Sequence, residues 1–215
     1  MTQPLQRWSV EATTSGTPII NFYDAKAGAT WRLAAMSDVH WDNKKCRRDL
    51  YDKHLQYITQ NNMPIIDIGD WFCAMQGKND RRKSAGGLRE EYRGDNYFDK
   101  LVNIGGEYLK PYAKQFAVMT YGNHETSCIN HHETDLTARL VDKLNNYGAN
   151  TQRGRYSGFV LLRFWFNENC YITVKYAYHH GPGNGGRVTR GVLDVNHQAV
   201  YLPDAHIVQN GHTHT

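Results

Sequence analysis

The chain has 215 residues, of which 40% are hydrophobic and 21% charged, and it carries a formal net charge of +4. That length fits a single domain over residues 1–215 with room for a large core. No run of about 18 apolar residues exists to span a membrane, so no membrane partner is expected. The modest positive charge suits an anionic substrate without demanding one.

In chain order, the polar residues 1–10 hold no signal-peptide core. Residues 17–23 and 31–36 read as short strands separated by a turn at Lys26-Ala27-Gly28. Residues 46–62 have helical spacing through Leu50, His54, Leu55 and Ile58, and Pro64 marks the stop. Residues 64–68 then form a short buried strand. Residues 76–93, rich in Gly, Lys and Arg, read as a long loop.

Helical spacing resumes over 96–114 through Phe98, Leu101, Val102, Tyr108 and Leu109, weakened by Gly105-Gly106. Residues 116–120 are a third central strand. The clearest helix is 134–147, with Leu136, Leu140, Val141 and Leu144 on one face and Gly148 beyond its end. Residues 159–166 and 171–178 read as strands around a turn at Asn167-Glu168-Asn169. A glycine-rich loop at 181–186, a short helix at 192–200 and a final strand at 205–208 follow. Helices alternate with strands first and consecutive strands come later. That order predicts an α/β (α+β) fold with a mixed sheet, or two packed sheets, and helices outside. The chain stops directly after a polar cluster, which gives the expectation of a truncated C-terminus.

The four cysteines, Cys46, Cys73, Cys128 and Cys170, form no Cys-x-x-Cys pair. A reduced, cytoplasmic protein is expected rather than a disulfide framework or zinc knuckle. The histidines are more informative, because five strand ends carry metal-competent residues. Strand 31–36 leads to Asp38-Val39-His40, strand 64–68 to Gly69-Asp70, and strand 116–120 to Asn123-His124-Glu125. Strand 171–178 leads to His179-His180, and strand 205–208 to Gly211-His212-Thr213-His214. Ligand sites gather outside the carboxyl ends of strands in helix-covered sheets.

Two carboxylates, three or four imidazoles and an amide oxygen exceed the needs of one tetrahedral zinc. They suffice for two divalent ions if one carboxylate bridges, and Asp70, on a tight Gly-Asp turn, is the natural bridge. Nitrogen and oxygen ligands without thiolate favour Mn, Fe, Zn, Co or Ni over Mg or Ca. Two such ions form the clamp used for in-line displacement at phosphorus, with a bridging hydroxide as nucleophile near neutral pH. His179 and His180 face opposite ways on a strand, so only one can enter such a site.

Asp38-x-His40, Gly69-Asp70, Gly122-Asn123-His124-Glu125, His180-Gly181 and Gly211-His212-x-His214 together resemble the calcineurin-like metallophosphoesterases. The match runs in the family's order over residues 33–214, and the stretch from His180 to Gly186 looks like phage-encoded members, for which the compartment would be the host cytoplasm. The resemblance implies a four-layer sandwich of two mixed sheets flanked by helices. It implies one ion on Asp38, His40, Asp70 and His214, and a second on Asp70, Asn123, His180 and His212, with Mn the first choice. It also implies His124 as the acid that protonates the leaving oxygen. Relatives often carry an aspartate where Cys73 stands, so another group must hold His124 here. The Asp-Arg-Gly continuation of the Ser/Thr protein phosphatases is absent, which argues against a phosphoprotein substrate.

The expected activity is therefore a binuclear metal-dependent phosphoesterase acting on a phosphodiester in a nucleotide or nucleic acid. A phosphomonoesterase and a non-catalytic, metal-stabilised binding module are the rivals. Arg187 and Arg190 are candidates for gripping phosphate. The basic loop (Lys78, Arg81, Arg82, Lys83, Arg89, Arg93) reads as a solvated segment or a nucleic-acid approach. Glu125 is expected to orient backbone, and His131 and His132 to lie on the surface or at a helix start. The Trp and Tyr residues are expected in the core.

Overall fold

A computed structural model of the chain describes residues 5–76, 86–181, 196 and 200–212. Its centre is a parallel sheet of β3 (Ala34–Met36), β4 (Ile65–Asp67), β5 (Phe116–Met119) and β6 (Gln152–Arg153), in that spatial order. Parallel strands covered on both faces read as unbroken apolar runs. β4 and β5 are buried at every position. Their side chains divide between two cores: Ile65, Phe116 and Met119 face one, while Ile66, Ala117 and Val118 face the other. A register shift between Ile65 and Ile66 sets Ile65 opposite Phe116 and Ile66 opposite Val118, which is why Ala117 and Val118 share a side.

The first core is closed by helices. α1 (Arg48–Gln60) contributes Tyr51, Leu55 and Ile58, and α2 (Tyr97–Leu109) contributes Leu101, Val102 and Leu109. α4 (Leu136–Asn146) adds Leu136, Leu140, Val141 and Leu144, the face its three-and-four spacing predicts. Asp135 starts α4 by accepting a hydrogen bond from the Ala138 amide at 2.8 Å. Gly105 is required inside α2, because a Cβ there would lie 2.8 Å from the Trp71 ring.

The second core is shared with a five-stranded mixed sheet. β1 (Trp8–Glu11), β2 (Ile19–Phe22), β7 (Ser157–Asn167), β8 (Cys170–His179) and β9 (Ile207–Asn210) lie side by side in that order. β2 pairs with β7 and β8 with β9 in parallel, whereas β1–β2 and β7–β8 are antiparallel. Ile20, Phe22, Val160, Leu162, Tyr176 and Tyr178 meet Ile66, Ile68 and Val118 between the sheets. Among the described residues β1 and β9 are the edge strands, with Ile207 of β9 40% exposed.

The fold is thus mixed α and β with two sheets. Among the described residues the layers are three: helices, parallel sheet, mixed sheet. The expected helix over 192–200 falls largely outside the described residues. Other elements differ from the sequence pattern. β1 and β6 were not anticipated, being short and polar-flanked. The helix expected to 114 ends at Leu109 and tightens into a 3-10 segment, Lys110–Gln115, because Pro111 has no amide to donate. The residues from Asn123 that follow strand 116–120 form the first turn of α3 (Asn123–His132), whose last turn holds His131, which is exposed, and His132. No helix among the described residues is long and apolar enough to cross a membrane.

Candidate metal centre

The loops after β3, β4, β5, β8 and β9 meet at the carboxyl ends of their strands. Backbone bonds zip the first two together: Asp38 N–H to Gly69 O at 2.9 Å, His40 N–H to Asp70 O at 3.0 Å, and Trp41 N–H to Trp71 O at 2.8 Å. Eight non-glycine residues among those described have positive φ, and four are Asp38 (57°), His40 (48°), Asp70 (56°) and His212 (68°). Each left-handed residue of this kind costs about 1–3 kcal/mol and persists only where its surroundings enforce it, as at functional sites. Gly122 permits the closest approach, since a Cβ there would lie 2.0 Å from Asp70 Oδ1.

Asp70, His180 and His212 each offer a ligand atom, and these atoms lie within 4.8 Å of one another. Asp38, His40 and Asp70 do the same, so the two groups share Asp70. His180 Nε2 stands 3.1 Å from Asp70 Oδ2 and 3.1 Å from Asn123 Oδ1. Its other nitrogen, Nδ1, is 2.9 Å from the Ile68 carbonyl and donates to it. In the neutral ring Nε2 therefore carries a lone pair. Two side-chain oxygens then face that lone pair, an arrangement that a cation between them satisfies. A proton is the smallest such cation. Burial would lower the His180 pKa, but the hydrogen bond and charge of Asp70 outweigh it and push it up to about 9. A divalent ion meets the same need, and the donor set fits one.

Asp38 reaches the same space. Its Oδ1 is 4.0 Å from both His40 Nε2 and His180 Nε2, and its Oδ2 accepts from the His212 amide at 2.9 Å. Burial opposes ionisation of Asp70, yet the His180 hydrogen bond and the nearby His124 and His180 hold its carboxyl below the usual range. His124 Nε2 lies 3.7 Å from Asp70 Oδ2. Its Nδ1 donates to the backbone carbonyl of Cys73. That main-chain acceptor fixes the tautomer with Nε2 facing the cluster.

Of the paired histidines, His180 is fully buried in the cluster, while His179 Nδ1 accepts from the Gly181 amide at 2.9 Å. Asp38, His40, Asp70, Asn123, His124, His180 and His212 are all brought together. His214, Arg187, Arg190, Lys78, Arg81, Arg82 and Lys83 lie outside the described residues. Arg89 donates to the Asn43 and Cys46 carbonyls and Arg93 pairs with Glu90, so those two hold local backbone and surface.

Several contributors escaped the sequence reading. Cys73 Sγ lies within 4.8 Å of ring nitrogens of His40 and His124, so the thiol excluded from the ligand inventory borders the site. Asp42 accepts from the Cys73 amide (2.6 Å), the Ala74 amide (3.3 Å) and the Tyr97 hydroxyl (2.7 Å), fixing the loop that carries Cys73. Its place two residues beyond His40 was the available signal. Asp67 is fully buried in β4, and burial pushes its carboxyl up to about 7. A lone acid inside Ile65–Ile68 was the signal there. Glu125 does orient backbone: it accepts from the Asp70 and Gly122 amides at 2.9 Å and from the Phe72 amide at 3.1 Å.

Comparisons of the chain with models of protein families, with curated proteins and with solved structures gave no match.

Proposed function

We propose that the chain is a binuclear metal-dependent phosphoester hydrolase acting on phosphodiesters, with Asp38, His40 and Asp70 holding one cation and Asp70, Asn123, His180 and His212 the other. His214 would complete the first set. The observation that carries this reading is the convergence of His180 Nε2, Asp70 Oδ2 and Asn123 Oδ1 at 3.1 Å, beside a second ligand group that shares Asp70. Two divalent cations there would supply Lewis acidity at phosphorus and a water ionised near neutral pH. The resemblance of the five motifs to calcineurin-like metallophosphoesterases supports the same reading. So does the strained backbone at four of the ligand residues.

The chain's own residues then have separable tasks. Asp38 and Asp70 provide the negative charge that makes a cation pair tolerable. Asn123 contributes a neutral oxygen and leaves net positive charge for an anionic substrate. His124, its Nδ1 proton engaged by the Cys73 carbonyl, offers an Nε2 proton to the leaving oxygen when the ring is cationic.

Metal content of the purified protein, measured with hydrolysis of bis(p-nitrophenyl) phosphate and p-nitrophenyl phosphate in Mn, tests the proposal. About two ions per chain and faster diester than monoester turnover are expected. Bound metal without turnover of either ester would favour a binding module, and absence of metal would end the proposal.

A further inference from the structure

The ends of β5 and β6 carry a second feature that the metal centre does not use. Tyr121, Gln152, Arg153 and Arg155 line a cavity of about 480 Å³ together with Thr13 and Pro18. Its walls connect directly to the centre. Tyr121 precedes Gly122, which packs on Asp70. Arg155 precedes Tyr156, whose ring lies edge-on to His180 at 5.5 Å and whose hydroxyl donates to the Gly181 carbonyl at 2.7 Å. The connecting backbone is firmly seated: the Arg155 amide donates to the Tyr178 hydroxyl at 3.1 Å, and a Cβ at Gly154 would lie 2.4 Å from that oxygen.

The charge in this cavity is unbalanced. Arg153 Nη1 is 3.8 Å from Asp135 Oδ2, but that oxygen also accepts from the Tyr121 hydroxyl at 2.7 Å, while Oδ1 caps α4. Arg155 is exposed and makes no ion pair with any described residue. The cavity thus carries two guanidinium groups, and the one carboxylate near either of them, that of Asp135 beside Arg153, is already engaged twice. Guanidinium forks match phosphate geometry, and the volume, within the range of ligand pockets, exceeds what a bare phosphate fills.

We infer that this cavity is a subsite for a polynucleotide backbone, holding a nucleotide unit beside the scissile phosphodiester through Arg153 and Arg155. The inference rests on the hydrolase reading for its role in turnover, but binding can be measured without turnover. Fluorescence anisotropy of a labelled thymidine octanucleotide, with the full chain held metal-free by chelator, provides that measurement.

Arg153→Ala with Arg155→Ala should raise Kd at least tenfold and reduce the log–log salt slope by roughly 0.7 for each phosphate no longer neutralised. Lys110→Ala with Lys114→Ala removes equal charge at the opposite end of β5 and should stay within twofold. Arg155→Gln alone, at an exposed position, gives the same test with less risk to folding. Equal weakening by the arginine and lysine pairs would overturn the subsite. So would undetectable binding by the wild type, or displacement of the octanucleotide by a phosphopeptide. With Mn added, the arginine pair should hydrolyse bis(p-nitrophenyl) phosphate within twofold of wild type, and a parallel loss there would likewise overturn it. Failure of the wild type to hydrolyse that small diester counts against the hydrolase reading alone and leaves the binding result standing.

Discussion

His124 and Asp67 show how one residue's surroundings decide its chemistry. The His124 ring turns Nε2 toward Asp70, because Nδ1 is committed to the Cys73 carbonyl. His124→Ala should therefore keep its metal, by elemental analysis, while kcat for a small diester falls by about 10²–10⁴. A variant that lost metal and rate together would make His124 a ligand instead. Asp67 titrates by a different logic. Its Oδ1 accepts from the Gly69 amide at 3.1 Å, Oδ2 has no hydrogen-bond partner among the described residues, and burial raises its carboxyl from 3.8 to about 7. A raised folded-state pKa means that the folded protein binds the proton more tightly than the unfolded chain. The associated stability is complete below pH 3.8 and is lost as pH climbs to about 7. In urea titrations of metal-free protein, Asp67→Asn should flatten that decline, which is worth roughly 1.4 kcal/mol for each pH unit between the unfolded and folded values. Bound cations would draw the carboxyl back down, so metal should flatten the wild-type profile as well.

At the scale of elements, the site depends on how α3 is tied to the turn after β4. Glu125 in the first turn of α3 accepts three amides, from Asp70, Phe72 and Gly122. In return the His124 amide donates to Asp70 Oδ1 at 2.9 Å. Glu125→Gln replaces one acceptor oxygen with a donor, leaving at least one buried amide unsatisfied. That should cost about 1–3 kcal/mol in urea denaturation and weaken metal binding; unchanged stability would mean that the turn is held by its backbone alone. These elements were unequally legible in the sequence. The ends of β3, β4, β5, β8 and β9 stood out because each apolar run stops at carboxylate, amide or imidazole. α3 did not, since Asn123-His124-Glu125-Thr126-Ser127 carries no apolar stripe and its first turn is held by tertiary bonds to Asp70 and the local cap at Gly122. Cys73 read as a missing carboxylate, whereas the group that acts is its carbonyl, which no side-chain pattern encodes. The cavity at Arg153 and Arg155 was equally silent, because it joins β6 to residues near the N-terminus.

For the whole molecule, the decisive property is that the ligands are distant in sequence and adjacent only when folded. Asp38 and His212 are 174 residues apart, yet the His212 amide donates to the Asp38 carboxylate at 2.9 Å. The unfolded chain cannot gather such a set, so metal bound at the site acts on the folded state alone. Linkage then fixes the size of the effect: free metal at 100 times its Kd adds about 2.7 kcal/mol. A chain of 215 residues gains roughly 2–4 °C in Tm for each kcal/mol, so a rise of roughly 5–11 °C is expected in Mn relative to chelator. Asp70 belongs to both ligand groups, so Asp70→Asn should abolish most of that rise, whereas Arg153→Ala with Arg155→Ala should preserve it. Thermal scans across a Mn titration separate these outcomes. An equal metal-induced rise in wild type and Asp70→Asn would place the binding elsewhere on the surface and remove the basis for the shared centre.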